Sequence, residues 1–233
     1  MNKEEFILEL SKLNINIKES TIEKLITYYH LLIEENKKYN LTTITEESDV
    51  YLKHFYDSLT ITKIISLTNQ YILDIGSGAG FPGLVLKIVF PNIKIDLLDS
   101  TNKKCLFLQK VIDTLELKDI NVINDRAEEY AKDHREQYDI ITSRAVAPLK
   151  HLLEYSIPML KVNGSFISLK GDIKEELKGI NKYYQKLFLT NESIITFNLP
   201  HDKGFRTIYK ITKTKKTPAL YPRTYAQIKK KEL

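Results

Sequence analysis

With 233 residues, 42% of them hydrophobic, the chain is long enough to form one sizeable domain around its own core. Charges interrupt every long apolar stretch and surround the apolar residues of the N-terminus, which excludes a membrane-spanning helix and a signal peptide. One cysteine, Cys105, excludes an internal disulfide, and no Cys/His cluster has zinc-ligand spacing, so we expect a cytoplasmic protein that holds no metal.

The first 66 residues are predicted to be helical, because their apolar residues recur at helical spacing. Ser20 or Thr21 is expected to cap the second helix, and a third helix is expected from Asp49 to about Ile65. We interpret residues 1–66 as a helical N-terminal extension.

Short apolar segments then alternate with helical ones. Strands are predicted at residues 71–75, 94–98, 120–123, 138–142 and 165–169, with helices at 84–89, 103–117, 127–132 and 149–160 between them. This alternation predicts a doubly wound α/β sheet. Residues 193–198 and 206–212 lack an intervening helix, so they are expected to pair as an antiparallel hairpin and bring the sheet to seven strands. We therefore interpret residues 67–213 as the domain that contains this sheet.

The C-terminal segment is strongly basic. Residues 206–233 carry nine Lys or Arg against one Glu, a charge of +8, whereas the remainder carries −3. Such a segment either is a solvated lysine-rich tail or attracts the phosphates of nucleic acid. Residues 214–233, with two prolines and many charges, are expected to be poorly ordered in isolation.

A glycine-rich turn follows the first strand, where parallel sheets bind nucleotides. A dinucleotide fingerprint needs glycine at its sixth place, where this chain has Phe81. The spacing Gly76, Gly78, Gly80, preceded by Asp74, resembles instead the pattern of class I methyltransferases that use S-adenosylmethionine. Asp74 offers an acceptor near a cationic ligand. The alternative is a turn that merely lets a strand meet a helix.

Acidic residues follow the next two strands. Asp99 ends the second strand, where a carboxylate can accept both ribose hydroxyls; the alternative is a helix cap. Residues 125–129, Asp-Arg-Ala-Glu-Glu, follow the third strand, where adenine is commonly bound; the alternative is an ordinary acidic helix start. Three loops at the carboxyl ends of successive strands therefore carry groups suited to one cofactor.

The chain resembles the RsmG (GidB) family of 16S ribosomal RNA guanine-N7 methyltransferases. The resemblance covers roughly residues 28 to 212. It is carried by KYNLT at 38–42, HFYDS at 54–58, LDIGSGAGFPG at 73–83, LLDS at 97–100, RAE at 126–128, SRA at 143–145 and LKG at 169–171. Relatives keep a Gly-Thr-Pro-Asn tail after Tyr-Pro-Arg, whereas this chain continues differently after Arg223.

The resemblance implies a class I methyltransferase fold, a Rossmann-like sheet with a helical N-terminal extension. It implies that S-adenosylmethionine is bound by Gly76, Phe81, Asp99, Ser100, Ala127, Glu128 and Arg144. Lys103, Arg126, Arg144 and Lys170 match basic positions that hold RNA or substrate. The implied reaction is methylation of guanine N7 in the decoding-region loop of 16S rRNA. We further expect the RNA to be bound within a 30S subunit or its assembly precursor, and the chain to be a monomer.

Guanine N7 carries no proton, so its methylation requires positioning and electrostatics rather than a general base. Residues 143–146, Ser-Arg-Ala-Val, lack the N/D-P-P-Y/F set that many adenine N6 enzymes use. We predict that Arg144 borders both cofactor and base and donates a forked pair of hydrogen bonds to guanine O6; the alternative is a structural ion pair with Asp99 or Glu128. Lys170 is predicted to bind phosphate or a base edge, unless it is a solvated loop lysine.

Asn40 and His54 are further candidates for substrate binding. Asn40 could instead end a helix, and a histidine on an amphipathic helix is more often structural. Phe81 either stacks near the ligand or packs against the sheet. The competing functions are a methyltransferase for another RNA, for protein or for a small molecule, an NAD-dependent oxidoreductase, and a non-catalytic RNA-binding domain.

Overall fold

A computed structural model describes all residues from 1 to 233 and contains one seven-stranded sheet. The strands are β1 Tyr71–Ile75, β2 Lys94–Leu98, β3 Ile120–Ile123, β4 Tyr138–Arg144, β5 Leu160–Lys170, β6 Leu189–Asn198 and β7 Phe205–Lys213. Their order in the sheet is β3-β2-β1-β4-β5-β7-β6. The first five are parallel, and β7 lies antiparallel between β5 and β6. The predicted doubly wound sheet and its terminal hairpin are confirmed.

Helices cover both faces of the sheet. They are α1 Lys3–Lys12, α2 Glu19–Tyr39, α3 Glu47–Val50, α4 Asp57–Leu59, α5 Gly83–Val89, α6 Asn102–Thr114, α7 Ala127–Asp133, α8 Leu149–Ser156, α9 Asn181–Leu187 and α10 Tyr225–Lys230. None of these helices combines the length and apolar character that crossing a membrane would need.

The predicted third helix is a composite. Between α3 and α4 the chain forms a π-helical segment, Tyr51–Tyr56, and a 3₁₀ segment, Thr60–Lys63, ends the run. A π-helical turn holds one residue more than an α-helical turn, and such turns recur at functional sites. Here the widened turn carries His54 and leads directly to Asp57, both buried.

Several predicted boundaries were wrong. Ser20 and Thr21 do not cap α2, whose N-cap is Lys18. The helix expected over 149–160 ends at Ser156, because Pro158 supplies no N–H, and the chain turns through Ile157–Met159 into β5. The short helices α9 and α10 were not predicted.

The N-terminal helices share a hydrophobic core with one face of the sheet. Phe6, Tyr28 and Phe55 are fully buried and belong to the same apolar cluster as Phe81 and Phe107, which lie after β1 and on α6. The extension is therefore part of the wall behind the glycine turn. Tyr28 of the extension also contacts the turn itself, because its hydroxyl donates a hydrogen bond to the carbonyl of Ala79.

The C-terminal segment packs against the other face of the sheet, so the expectation of a poorly ordered tail was wrong. Tyr221 and Ile228 are buried in the second apolar cluster. Arg223 donates to both oxygens of the buried Glu154, at 2.6 and 2.7 Å. Lys213 is also fully buried and donates to two main-chain carbonyls. Part of the basic charge of this segment thus serves folding.

Candidate active site

A cavity of about 480 Å³ opens at the carboxyl ends of β1, β2, β3 and β4, where doubly wound sheets bind ligands. Its volume is that of an ordinary small-molecule site. Of the predicted site residues, those that line it are His54, Gly76, Gly78, Phe81, Asp99, Ser100, Arg126, Ala127, Glu128 and Arg144. The structure thus brings together most of the predicted cofactor site.

The glycine turn forms one wall of the cavity and needs its glycines for different reasons. Gly76, Gly78 and Gly80 all have positive φ, between 60° and 102°, which favours residues without a Cβ. A Cβ at Gly80 would lie 2.4 Å from a methyl of Leu84 and 2.5 Å from the Tyr28 hydroxyl. At Gly78 a Cβ would meet nothing closer than 3.8 Å. Gly80 is therefore required by packing, whereas Gly78 leaves room on the cavity side.

Asp99 joins the glycine turn to the start of α6. One carboxylate oxygen accepts the Gly78 N–H at 2.9 Å, and the other accepts the Thr101 N–H at 2.8 Å. The cap alternative is wrong, because the N-cap of α6 is Thr101; Asp99 instead orders the chain just before α6. The carboxylate also lines the cavity, with Ser100 beside it. The two observations are compatible, since each oxygen has a further lone pair.

The loop after β3 supplies a third wall. Glu128 is buried at the start of α7, and its carboxylate accepts a hydrogen bond at 2.5 Å from Nε of Arg126. Ala127 and the buried Tyr155 of α8 line the cavity next to them. Arg126 is therefore held by an ion pair within its own loop, and its guanidinium is half-exposed.

Asp74 does not line the cavity. Its carboxylate is completely buried behind the turn, where one oxygen accepts the Gly83 N–H at 2.9 Å. The other oxygen has no hydrogen-bond partner. Burial raises the pKa of Asp74 to about 7. The expectation that Asp74 contacts a cationic ligand directly was therefore wrong. Asp74 instead stabilises the turn from its buried side, by its hydrogen bond to the Gly83 N–H.

Arg144 ends β4 and lies at the cavity wall, mostly buried. Its Nη1 donates to the carbonyl of Lys53 at 3.0 Å and approaches an oxygen of Asp57 at 3.4 Å; its Nη2 donates to Nδ1 of His54 at 3.1 Å. The guanidinium lies 5.0 Å from the centroid of the Phe81 ring. The structural partners expected from the sequence, Asp99 and Glu128, are therefore wrong. The partners come from the N-terminal extension.

His54 is a neutral acceptor in this cluster. Arginine can only donate, so Nδ1 of His54 carries no proton, and Nε2–H donates to the hydroxyl of Thr42 at 2.9 Å. Burial and the charge of Arg144 lower the pKa of His54 to about 3. The ring also stacks on Phe81, with centroids 4.1 Å apart. The guanidinium thus contacts both rings of this stacked pair, by a hydrogen bond to His54 and over the ring of Phe81.

Asp57, which the sequence analysis did not select, is the anion of the cluster. It is buried, and its two oxygens share the single Nε–H of Arg206 on β7, at 2.9 and 3.0 Å; one oxygen also receives the contact from Arg144. Two positive charges on separate strands therefore converge on one carboxylate of the N-terminal extension. Thr42, Thr101, Tyr155 and Tyr225 are further cavity residues that were not predicted.

Five predicted residues lie outside the cavity wall: Asp74 and Gly80, which act from behind the turn, and Asn40, Lys103 and Lys170. Asn40 ends α2 in the left-handed conformation, as its alternative interpretation held. Lys103 is exposed on α6, and its neighbour Lys104 lines the cavity instead. Lys170 is not a solvated lysine, because its ammonium contacts both oxygens of Glu176 and the carbonyl of Ala147, at 2.8 to 2.9 Å.

The donor set fits S-adenosylmethionine better than a dinucleotide. The turn leaves open space at Gly78, and the Asp99 carboxylate faces the cavity where a diol can donate to it. The helix that follows the turn has Pro82 as its N-cap, and the Gly83 N–H is taken by Asp74. A main-chain amide that a pyrophosphate would use is therefore already occupied.

Solved structures of known class share this fold. A SAM-dependent methyltransferase from Aquifex aeolicus superposes with a TM-score of 0.55 at 14% identity, covering 74% of this chain and 97% of that one. A putative S-adenosylmethionine-dependent methyltransferase from Methanococcus maripaludis also gives 0.55, at 17% identity, covering 80% of this chain and 92% of that one. The fold and the cavity define a class I, S-adenosylmethionine-dependent methyltransferase.

Sequence relatives give the family. The model described as rRNA small subunit methyltransferase G (GidB) matches residues 21–206. Proteins called ribosomal RNA small subunit methyltransferase G are similar over most of the chain: 51% identical over 213 residues in Mesoplasma florum (89% of this chain, 88% of that one), and 43% over 227 in Bacillus subtilis (96% and 95%). The chain belongs to this family, as its motifs predicted.

Proposed function

We propose that the chain transfers a methyl group from S-adenosylmethionine to N7 of a guanine in the decoding-region loop of 16S rRNA. The observation that carries this proposal is the placement of Arg144 at the cavity wall, beside the glycine turn and against the Phe81 ring. The relatives act, by their names, on ribosomal RNA of the small subunit. The cofactor supplies an electrophilic methyl on a sulfonium.

The polar groups around Arg144 suit a target that has no proton to lose. His54 cannot serve as a base there, because its Nδ1 is occupied by Arg144 and its pKa is low. The Asp57 carboxylate is buried between two arginines and does not line the cavity. Guanine N7 presents a lone pair without a proton, so this lack of a free base is no obstacle.

Arg144 is assigned the task of orienting the base. All of its hydrogen bonds to protein leave the Nη atoms, so the Nε–H has no protein partner and is available to guanine O6. His54, Asp57 and the Lys53 carbonyl hold the guanidinium plane in advance, which lowers the entropy cost of binding. Lys170 suits this task less well, because Glu176 neutralises it.

We further propose that the substrate is the 30S subunit or its assembly precursor, and that the chain acts as a cytoplasmic monomer. Exposed lysines of the C-terminal segment support attraction to RNA. They are Lys215, Lys216, Lys229, Lys230 and Lys231. Such charges act on phosphates without selecting sequence, so the site must select the base.

The test is to delete the gene and map 7-methylguanine in 16S rRNA by borohydride–aniline cleavage. We expect one cleavage site in the decoding region to disappear and to return when the wild-type gene is restored. An unchanged cleavage pattern would refute the rRNA substrate. If the purified chain then methylated another RNA, the methyltransferase class would stand and the target would be wrong.

A further inference from the structure

Tyr225 lines the cavity, although it belongs to the C-terminal segment rather than to the sheet. It is the first residue of α10, and 41% of it is exposed. Core packing does not explain its position, since Ile228 is the residue of α10 that is buried. An aromatic ring that remains exposed at the rim of a ligand cavity is suited to contact a ligand.

The residues around Tyr225 hold it in place. Arg223, two residues earlier, makes the bidentate ion pair with the buried Glu154. Thr224 and Gln227 form a capping box that defines the start of α10, and Ile228 anchors the helix in the core. The backbone of Tyr225 is thus held on both sides along the chain.

Contacts of the ring show which part of the cavity it faces. The guanidinium of Arg126 lies 4.5 Å from the centroid of the Tyr225 ring, and the same Arg126 pairs with Glu128. Tyr225 therefore adjoins the loop after β3, whose residues 125–128 all line the cavity. This is the loop at which the adenine of the cofactor is expected. Arg144, to which base orientation is assigned, contacts Lys53, His54 and Asp57 instead.

We propose that Tyr225 contacts the adenine of bound S-adenosylmethionine, so that the C-terminal segment completes the cofactor site. Aromatic side chains stack on nucleobases independently of base-edge hydrogen bonds, which the loop after β3 can provide. The proposal rests on the cofactor of the proposed function but not on its RNA target.

The experiment measures binding of S-adenosylhomocysteine to the full-length chain by calorimetry, without RNA. Tyr225→Ala is expected to raise the Kd about tenfold, the effect of losing one stacked aromatic, whereas Tyr225→Phe is expected to stay within about twofold. The matched control is Leu220→Ala, an exposed residue of the same segment outside the cavity, which should bind as the wild type does. Thermal unfolding of each ligand-free variant verifies that α10 remains packed.

A second ligand locates the contact. 5′-Methylthioadenosine lacks the amino acid part of the cofactor, so Tyr225→Ala should weaken its binding by the same factor. An unchanged Kd in Tyr225→Ala would overturn the proposal, and so would an equal loss in Leu220→Ala. A raised KM for 30S subunits with unchanged cofactor affinity would also overturn it and assign Tyr225 to RNA. If wild-type chain binds the ligand but does not methylate 30S subunits, the proposed target fails and this proposal stands.

Discussion

The two sides of the cavity are built in different ways. The turn side consists of consecutive residues, 74–83, whose conformation is set by three glycines and by Asp74 beneath them. The Arg144 side is assembled from residues far apart in sequence: Thr42 and His54 lie about a hundred positions before Arg144, and Arg206 lies beyond it. A local motif can therefore specify the cofactor side, but the target side exists only when the N-terminal extension packs on the sheet.

The interactions that stabilise the two sides of the cavity also differ. The turn side depends on backbone conformation and tight packing, so it should respond to added volume. The Arg144 side depends on one buried carboxylate that pairs with two arginines, so it should respond to a change of charge. Substitutions that add volume and substitutions that remove charge should therefore affect the two sides differently.

The largest effect is expected at Gly80. Gly80→Ala should lower the free energy of unfolding by about 4 kcal/mol, because the methyl collides with Leu84 and Tyr28 and the φ of +102° disfavours any side chain. Gly78→Ala is the control, with open space at its Cβ, and should cost only about 1 kcal/mol while weakening S-adenosylhomocysteine binding. Urea unfolding and calorimetry measure both. Equal losses of stability in the two variants would contradict this division of roles.

A smaller effect is expected at Asp57. Asp57→Asn keeps the shape but removes the charge that faces Arg144 and Arg206, and should lower the free energy of unfolding by about 3 kcal/mol. The methylation rate should fall more than cofactor affinity does, because Arg144 loses its anchor. Lys53 offers a control: Lys53→Ala keeps the carbonyl that Arg144 uses and should leave the rate nearly unchanged. A normal rate in Asp57→Asn would show that the cluster has no part in orienting Arg144.

The smallest effect is expected at Asp74 and depends on pH. Its pKa of about 7 in the folded chain lies above the ordinary 3.8, so the folded state holds this proton more tightly and loses stability as pH rises from about 4 to 7. Asp74→Asn removes this dependence. The variant should therefore gain about 2 kcal/mol relative to the wild type between about pH 5 and pH 8. Urea unfolding of the wild type and of Asp74→Asn at both pH values tests this. An equal change in the free energy of unfolding of the two proteins would contradict it.

The fold was predictable from the sequence wherever one segment carries its own pattern. β1, β2 and β3 are short and bounded by turns, and their limits match the prediction. The π-helical segment Tyr51–Tyr56 was not predictable, because helical periodicity does not register one inserted residue. The order of residues 214–233 was missed because their two prolines and many charges outweighed the apolar signal of Tyr221 and Ile228.

In the candidate site, too, residues within a local motif were predictable, and contacts between distant segments were not. Gly76, Gly78 and Asp99 were found because they occupy fixed places at strand ends. Arg144 was found, but its partners were not, since nothing at residue 57 indicates that β4 and β7 will each bring an arginine to it. The ion pair of Lys170 was not predicted for the same reason, because the position of its partner Glu176 is set by the loop after β5.

If the turn side binds the cofactor and the Arg144 side orients the base, substitutions on the two sides should affect different steps. S-adenosylhomocysteine affinity and the single-turnover methylation rate at saturating cofactor, measured in parallel for Asp99→Ala and Arg144→Ala, separate these steps. We expect Asp99→Ala to raise the Kd about 100-fold. Arg144→Ala should lower the rate about 100-fold and raise the Kd less than tenfold. A near-normal saturating rate in Arg144→Ala would contradict the account.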